Sequence, residues 1–177
     1  DETYETLGKL LDNSDEMAKL AEFCRDTIDS VTQGLSKISE EEKISVYMAM
    51  GVEGLNTNAN GSFHAEVLDM VGANNIATVD VTSGGGGSQV TLEQIAVWNP
   101  QVILTDTNNV YDIVTSDERW ADISAVQNNK VYKIPTVPYN FLNDPPSVNR
   151  IIGLSWLGNL LYPEYFEFSK EQVITFY

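Results

Sequence analysis

The chain has 177 residues and is strongly acidic, with 26 Asp and Glu residues against 10 Lys and Arg residues and a formal net charge of -16. A surface of that sign repels phosphate backbones, so the composition argues against a nucleic-acid-binding protein. No apolar run reaches the ~18 residues of a membrane-spanning helix, and the single cysteine excludes an intrachain disulfide. The length suits one domain, and 42% hydrophobic residues are enough for a packed core.

Two helices are predicted at the start of the chain. The helical pattern breaks at residues 13–15, where Ser14 or Asp15 can cap a second helix that runs to about Leu35. Apolar residues recur at helical spacing along one face of this long helix, and we expect the cysteine among them to be a buried structural thiol. These residues are Met17, Leu20, Ala21, Cys24, Ile28, Val31 and Leu35.

Strands and helices then alternate. Strands are predicted within residues 44–50, 74–81, 101–106 and 128–135, and the first is apolar enough to be covered on both faces. The helices between and after them are predicted at 63–72 with Ser62 as cap, 92–99 with a Thr91–Gln94 capping box, within 107–126, at 148–163 with Ser147 as cap, and at 169–177. This order predicts an α/β fold, a three-layer Rossmann-like lobe with a central, mostly parallel sheet, preceded by the long helix.

Three loops follow the carboxyl ends of the predicted strands, where ligands bind in parallel α/β sheets. They span residues 51–61, 105–110 and 136–144. The first and third are rich in Asn with aromatic residues beside them, which suits a polar-edged small molecule better than a bare ion. Turn chemistry explains the same residues equally well. Neither loop contains Lys or Arg, so an anion would rely on backbone N–H groups, on Arg150, or on a part of the protein outside this sequence.

No motif indicates an enzyme. The glycines at 84–87 are followed by Ser88, Gln89 and Val90 rather than by Lys-Ser/Thr, so they do not form a phosphate-binding loop. The one histidine, His64, has no evident partner for a triad or a metal site. It is either a polar residue in the first turn of a helix or a contact at the mouth of a cleft. We therefore predict no catalytic residues, no metal-binding residues and no cofactor.

Three segments carry a family resemblance: "VTLEQIAVWNPQVILT", "SDERWADISAVQNNKVYKIP" and "PPSVNRIIGLSWLGNLLYPEYF". In this order and spacing they resemble the C-terminal lobe of the substrate-binding proteins of iron-siderophore, haem and cobalamin ABC importers, the periplasmic binding proteins whose lobes are joined by a single helix. The opening "LGKLLDNSDEMAKLAEF" resembles the connecting region and long helix of that family. The four glycines fall in a variable loop of the pattern, which favours a natural loop over an engineered join.

The resemblance implies a domain organisation and a function. Residues 1–38 would be the inter-lobe connection and residues 39–177 the C-terminal lobe, with the N-terminal lobe and signal peptide absent from this sequence. The implied protein is the extracytoplasmic substrate-binding component of an ABC importer, periplasmic or lipid-anchored at the outer face of the cytoplasmic membrane. It would bind an iron chelate as a monomer and deliver it to the permease.

The resemblance also implies site residues. In the family, this lobe contacts ligand through the loop after its first strand and the loop before the "PPS" helix. The matching positions here are Asn58, Asn60, Phe63, His64, Tyr139, Asn140, Phe141 and Asn143. Glu93 is similar to a glutamate that docks onto permease arginines. Some siderophore binders place an arginine where this sequence has "FLNDPPS", and that departure weakens the prediction of an anionic ferric siderophore.

Other ligands and classes stay open. Within the family, cobalamin, haem with His64 or Tyr139 as axial donor, and molybdate or tungstate held by backbone N–H groups are alternatives. A metal chelatase on a similar lobe would need paired His and Glu ligands, which a single histidine disfavours. A surface interaction lipoprotein without a transport role is the remaining class.

Overall fold

The fold is taken from a computed structural model, whose description covers residues 2–82 and 86–177. Part of the four-glycine run, and with it part of the predicted variable loop, lies outside the described residues. The helices are α1 Glu2–Leu10, α2 Ser14–Leu35, α3 Glu66–Met70, α4 Leu92–Trp98, α5 Asn108–Ser116, α6 Ser124–Gln127, α7 Arg150–Leu161 and α8 Lys170–Phe176. The strands are β1 Ser45–Ala49, β2 Asn56–Thr57, β3 Asn74–Asn75, β4 Ser88–Gln89, β5 Val102–Thr105 and β6 Val131–Lys133.

A parallel sheet forms the centre of the fold. Its order is β3-β1-β5-β6, and each neighbouring pair runs parallel. Met48 lies opposite Leu104, which in turn lies opposite Tyr132. The α/β class and the parallel sheet predicted from the sequence are confirmed. A second, antiparallel pair, β2 with β4, was not predicted, because both of its strands lie in segments that read as loop.

The sheet separates two hydrophobic cores, because successive side chains of a strand point to opposite faces. Val46 and Met48 of β1 belong to the core that contains Val31 of α2 and Ile152 of α7. Tyr47, between them, belongs to the core that contains Ile95 of α4 and Val110 of α5. Helices therefore cover both faces, which confirms the three layers and the prediction that the first strand is buried on both sides.

Three predicted helix starts are wrong. The N-cap position of α2 is Asn13, with no side-chain cap, so neither Ser14 nor Asp15 caps this helix. Residues 63–65 form a turn ahead of α3, and Ser62 does not cap this helix, because the N-cap position is Ala65 and the Ser62 Oγ has no hydrogen-bond partner. The third is α7, which begins at Arg150 rather than near Ser147.

Local signals predicted other boundaries correctly. Thr91 forms the predicted capping box with Gln94, and the last helix begins after Ser169, which forms a capping box that was not predicted. Strand β3 is shorter than the strand predicted at 74–81. The side-chain oxygen of Asn75 accepts a hydrogen bond from the Ala77 amide at 3.1 Å, and the chain turns out of the sheet there.

Cys24 is buried, as predicted. Within the described ranges, no helix has the length and apolar character needed to cross a membrane.

Candidate functional site

The loop after β1 is tied to the end of the sheet. The hydroxyl of Tyr47 donates a hydrogen bond of 2.8 Å to the carbonyl of Gly54, and burial raises the pKa of this tyrosine above its usual value. Met50 and Asn56 exchange two backbone hydrogen bonds of 2.8 and 3.2 Å. These contacts fold residues 51–55 back over the carboxyl end of β1 and lead the chain directly into β2.

A recess of about 150 Å³ lies beside β2 and β4. Its lining carries hydroxyl, amide and imidazole groups and no Lys, Arg, Asp or Glu among the residues that the structure describes there. The lining residues are Thr57, Asn58, Ala59, Ser62, Phe63, His64, Val81, Thr82, Gly87 and Ser88. A ligand in this recess would meet neutral hydrogen-bonding groups rather than a charged partner.

Unpaired polar atoms occur in segments that follow strands of the sheet, and two of them belong to residues that line this recess. Among the residues described, four buried side-chain oxygens have no hydrogen-bond partner: Thr57 Oγ1, Ser62 Oγ, Asp106 Oδ1 and Asn143 Oδ1. All four belong to segments that follow β1, β5 or β6. An unpaired buried polar group costs roughly 1–3 kcal/mol and is uncommon, so each one needs an explanation. Their position at the carboxyl edge of the sheet is where a bound ligand would supply the missing partners.

The structure brings His64 and Asn143 together. His64 is half-buried, and its Nδ1 lies 3.3 Å from the backbone oxygen of Asn143, so this contact joins the loop after β1 to the loop after β6. The amide nitrogen of Asn143 lies 4.0 Å from the sulfur of Met50. Asn58 is also buried at the recess, with its amide nitrogen 4.0 Å from the sulfur of Met48.

Three other predicted site residues have structural partners. Asn60 donates from its side chain to the carbonyl of Asn75 at 3.0 Å, at the edge strand of the sheet. The Asn140 side chain accepts from the amides of residues 142 and 143, which closes a local turn. Phe141 is buried in the core under α7. Ligand contact by these three residues stays a prediction.

The remaining two predicted contacts are exposed aromatic rings. Phe63 is 66% exposed and Tyr139 is 60% exposed. The Phe63 ring meets His64 edge-on at 6.0 Å, and the Tyr139 ring lies 6.1 Å from the ring of Tyr177. Flat apolar faces at the mouth of a site suit a ligand with an extended apolar surface.

Glu93, the predicted docking residue, lies in the first turn of α4, outside the loops that follow β1 and β6. Its carboxylate accepts hydrogen bonds from its own backbone N–H and from the Thr91 hydroxyl, and these bonds lower its pKa. The side chain is exposed. Glu93 therefore presents a fixed negative charge to the surroundings.

Two features of this region were not predicted from the sequence. The first is the pair of unpaired hydroxyls on Thr57 and Ser62. Thr and Ser are common in turns, and no sequence signal distinguishes these two from ordinary turn residues. Arg150 was considered only as a possible anion partner, whereas its guanidinium bonds the carbonyls of Phe63 and Leu142. Burial lowers the pKa of Arg150. The structure shows no group of three metal-ligating side chains in residues 2–82 and 86–177.

Comparison with known proteins places this geometry in context. A family model described as periplasmic binding protein matches residues 1–138. The molybdate-binding protein MolA of Haemophilus influenzae is 30% identical over 135 residues, which cover 75% of this chain and 37% of MolA. An uncharacterized ABC transporter substrate-binding lipoprotein, YvrC of Bacillus subtilis, is 26% identical over 155 residues, which cover 84% of this chain and 45% of that protein.

Solved structures give the same picture. An ABC transporter solute binding protein from Sulfurospirillum deleyianum aligns with a TM-score of 0.90 at 33% identity, covering 98% of this chain and 54% of the other. MolA bound to molybdate aligns with a TM-score of 0.71 at 25% identity, covering 92% of this chain and 48% of MolA. The chain thus spans about half, or less, of the length of these proteins.

Proposed function

Because this chain belongs to the periplasmic binding protein family, we propose that it forms one lobe of the extracytoplasmic substrate-binding component of an ABC importer. The observation that carries the proposal is the group of unpaired buried oxygens where the loops follow β1, β5 and β6. Thr57 and Ser62 line the recess beside β2 and β4, where a ligand would pair with their hydroxyls. The similarity to transporter binding proteins supports the same function.

The ligand we propose is a metal oxyanion of the molybdate type. The hydroxyls of Thr57 and Ser62 are free to donate, and O–H donors to an anionic oxygen make short, strong hydrogen bonds. The recess of about 150 Å³ fits a compact ion better than a bulky chelate. The recess lining has no carboxylate among the described residues, and the Asp106 carboxylate, in the loop after β5, is not one of the residues that line it. The similarity to MolA supports this choice.

A ferric chelate is the second candidate, with haem and cobalamin as related ligands of similar size. The exposed rings of Phe63 and Tyr139 favour it, because both present flat faces that a tetraoxyanion would leave uncovered. His64 or Tyr139 could also serve as an axial ligand to haem iron.

Calorimetric titration of the intact protein with molybdate, a neutral ferric hydroxamate, haem and cobalamin separates these candidates. We expect saturable binding of molybdate, with affinity reduced at least about tenfold in Thr57→Val, since a lost hydrogen bond to a charged group is worth roughly 1.5–3 kcal/mol. Thr115→Val, which changes an exposed helical threonine in the same way, should bind like the wild type. Binding of the hydroxamate alone would favour the second candidate, and no binding to any of the four would reject both.

Docking onto the permease is the second part of the proposal. Glu93 is exposed and ionised, and an exposed carboxylate contributes to steering and register more than to affinity. We expect Glu93→Arg to reduce ligand uptake by cells at least about tenfold while ligand affinity in solution stays unchanged.

Glu171 provides a matched control for that experiment. It is exposed and occupies the same position, two residues after the capping residue, in the Ser169–Gln172 capping box of α8. Glu171→Arg should leave uptake unchanged. Full uptake by cells carrying Glu93→Arg would contradict the docking role and favour a surface interaction protein without a transport role.

A further inference from the structure

We infer that Arg150 is a positioning residue that holds the two candidate binding loops at a fixed spacing. Arg150 is the first residue of α7, and its side chain is only 13% exposed. Its Nε donates to the carbonyl of Leu142 at 2.8 Å, and its Nη2 donates to the carbonyl of Phe63 at 2.7 Å. One guanidinium therefore joins a loop that follows β1 to a loop that follows β6. We call these three residues the loop clamp.

Two further contacts fix the orientation of the clamp. Nη1 of Arg150 lies 3.4 Å from a carboxylate oxygen of Glu66, which supplies the compensating negative charge. The guanidinium carbon lies 4.6 Å from the centroid of the Phe63 ring, so the arginine supports one face of that ring and leaves the rest of it exposed. The clamp thus orients a predicted ligand-contact residue as well as the backbone next to it.

The clamp lies beside the second link between the loops. His64 follows Phe63 in the chain and Asn143 follows Leu142, and the His64 ring nitrogen contacts the Asn143 carbonyl at 3.3 Å. Two neighbouring residues of one loop are therefore linked to two neighbouring residues of the other. We expect loops joined in this way to open together, because opening either loop breaks the shared His64–Asn143 contact and one of the two hydrogen bonds that hold the Arg150 guanidinium in place.

An arginine is needed for this arrangement. The planar guanidinium offers several donors in a fixed fork, so it can serve two carbonyls and a carboxylate at once. A lysine at the same position keeps the charge but lacks that fork and has no planar group to stack on Phe63. Arg150→Lys therefore removes the geometry of the clamp while it retains the charge, which makes it the informative substitution.

Hydrogen exchange measured on the intact protein without ligand tests the inference. In Arg150→Lys we expect the amides of Ala65 and of residues 142–143 to exchange at least about tenfold faster, and to change together. The amide of Ile103, bonded to Lys130 within the sheet, should keep its wild-type rate. Arg119→Lys is the matched control, since Arg119 is an exposed arginine paired only with nearby Asp117 in the described contacts. Its exchange rates should match the wild type throughout.

The outcome that overturns the inference is unchanged exchange in both loops, or faster exchange in only one of them. Uniformly faster exchange that includes Ile103 would show a general loss of stability rather than a local clamp, and would also overturn it. If Arg150→Lys does not fold, Glu66→Gln replaces it. Removing the compensating carboxylate should speed exchange in both loops by about threefold, and no change there would count equally against the clamp.

The consequence for ligand binding rests on the proposed function. We expect Arg150→Lys to release molybdate at least about tenfold faster at a temperature where the variant is fully folded, because the loops are no longer held in the binding geometry. The exchange experiment needs no ligand. If molybdate fails to bind the wild type, the proposed ligand is rejected, while coupled exchange in the two loops still establishes the clamp.

Discussion

The hydroxyl of Thr57 is fully buried and has no hydrogen-bond partner. An unpaired buried hydroxyl opposes folding, so Thr57→Val, which keeps the shape, should raise the free energy of unfolding by about 1 kcal/mol. Urea unfolding without ligand measures this effect. A gain in stability combined with a loss of affinity is expected only of a residue kept for binding.

Thr105→Val is the control for that prediction. Thr105 is equally buried, but its hydroxyl donates to the carbonyl of Tyr132 at 3.4 Å. Replacing it should lower the free energy of unfolding by about 1 kcal/mol or less. A loss of stability in Thr57→Val as large as that in Thr105→Val would contradict a ligand-binding role for the Thr57 hydroxyl.

Individual site residues were harder to predict from the sequence than the segments that contain them. The motif "YNFLND" was correctly placed in the loop after the last strand, but it contains residues with different roles. Asn140 closes a turn, Phe141 enters the core, and Asn143 has an unpaired buried oxygen. The folded backbone points these side chains in different directions. Residue type alone does not determine those directions.

At the scale of elements, α7 and the loop that precedes it depend on close contact at Gly153. A methyl group at this position would collide with the backbone oxygen of Phe141. Alanine favours a helix over glycine by about 1 kcal/mol, but a clash with backbone costs more than that gain. We expect Gly153→Ala to lower the free energy of unfolding by about 2 kcal/mol, as measured by urea unfolding.

Gly86→Ala provides a comparison, because a methyl group at Gly86 would meet no atom within 4 Å. Its unfolding free energy should stay within about 0.5 kcal/mol of the wild type. Equal stability of Gly153→Ala and the wild type would mean that the loop can move away from α7. Close packing at Gly153 would then not be needed to hold Phe141, in the loop before α7, in its buried position.

The elements predicted correctly are those whose signals are local. The capping box at Thr91 and the apolar run of β1 are set by neighbouring residues, and the structure contains both where they were predicted. The short α3 and the β2–β4 pair depend instead on contacts between residues distant in the chain, such as Arg150 with Phe63. Hydrophobic periodicity carries no information about such contacts.

At the scale of the whole molecule, buried tyrosines predict instability in alkali. Burial raises the pKa of Tyr47 and of Tyr162, and burial together with nearby Cys24 raises that of Tyr4 to about 12. The unfolded chain releases these phenolic protons near pH 10, before the folded protein does. Their contribution to the free energy of unfolding is therefore complete below about pH 10. It is lost as the pH rises through the pKa values of these tyrosines in the folded protein.

Urea unfolding at a series of pH values tests this sign. We expect the free energy of unfolding to fall progressively above about pH 10. In Tyr47→Phe this free energy should fall less steeply, because one of the contributing phenol groups is gone. The comparison of slopes matters more than the absolute values, since Tyr47→Phe also removes the hydrogen bond to Gly54. Identical slopes in the two proteins would contradict a contribution from Tyr47.

The two cores on either side of the sheet support different parts of the proposed function, ligand binding and docking onto the permease. Phe141 and Leu142, which anchor one ligand loop, belong to the core on one face, whereas Ile95, which anchors the helix carrying Glu93, belongs to the core on the other. Substitutions that reshape the loop after β6 need no compensating change beneath α4. Under the proposed function, descendants of one ancestral gene can thus change their ligand while they keep the same permease.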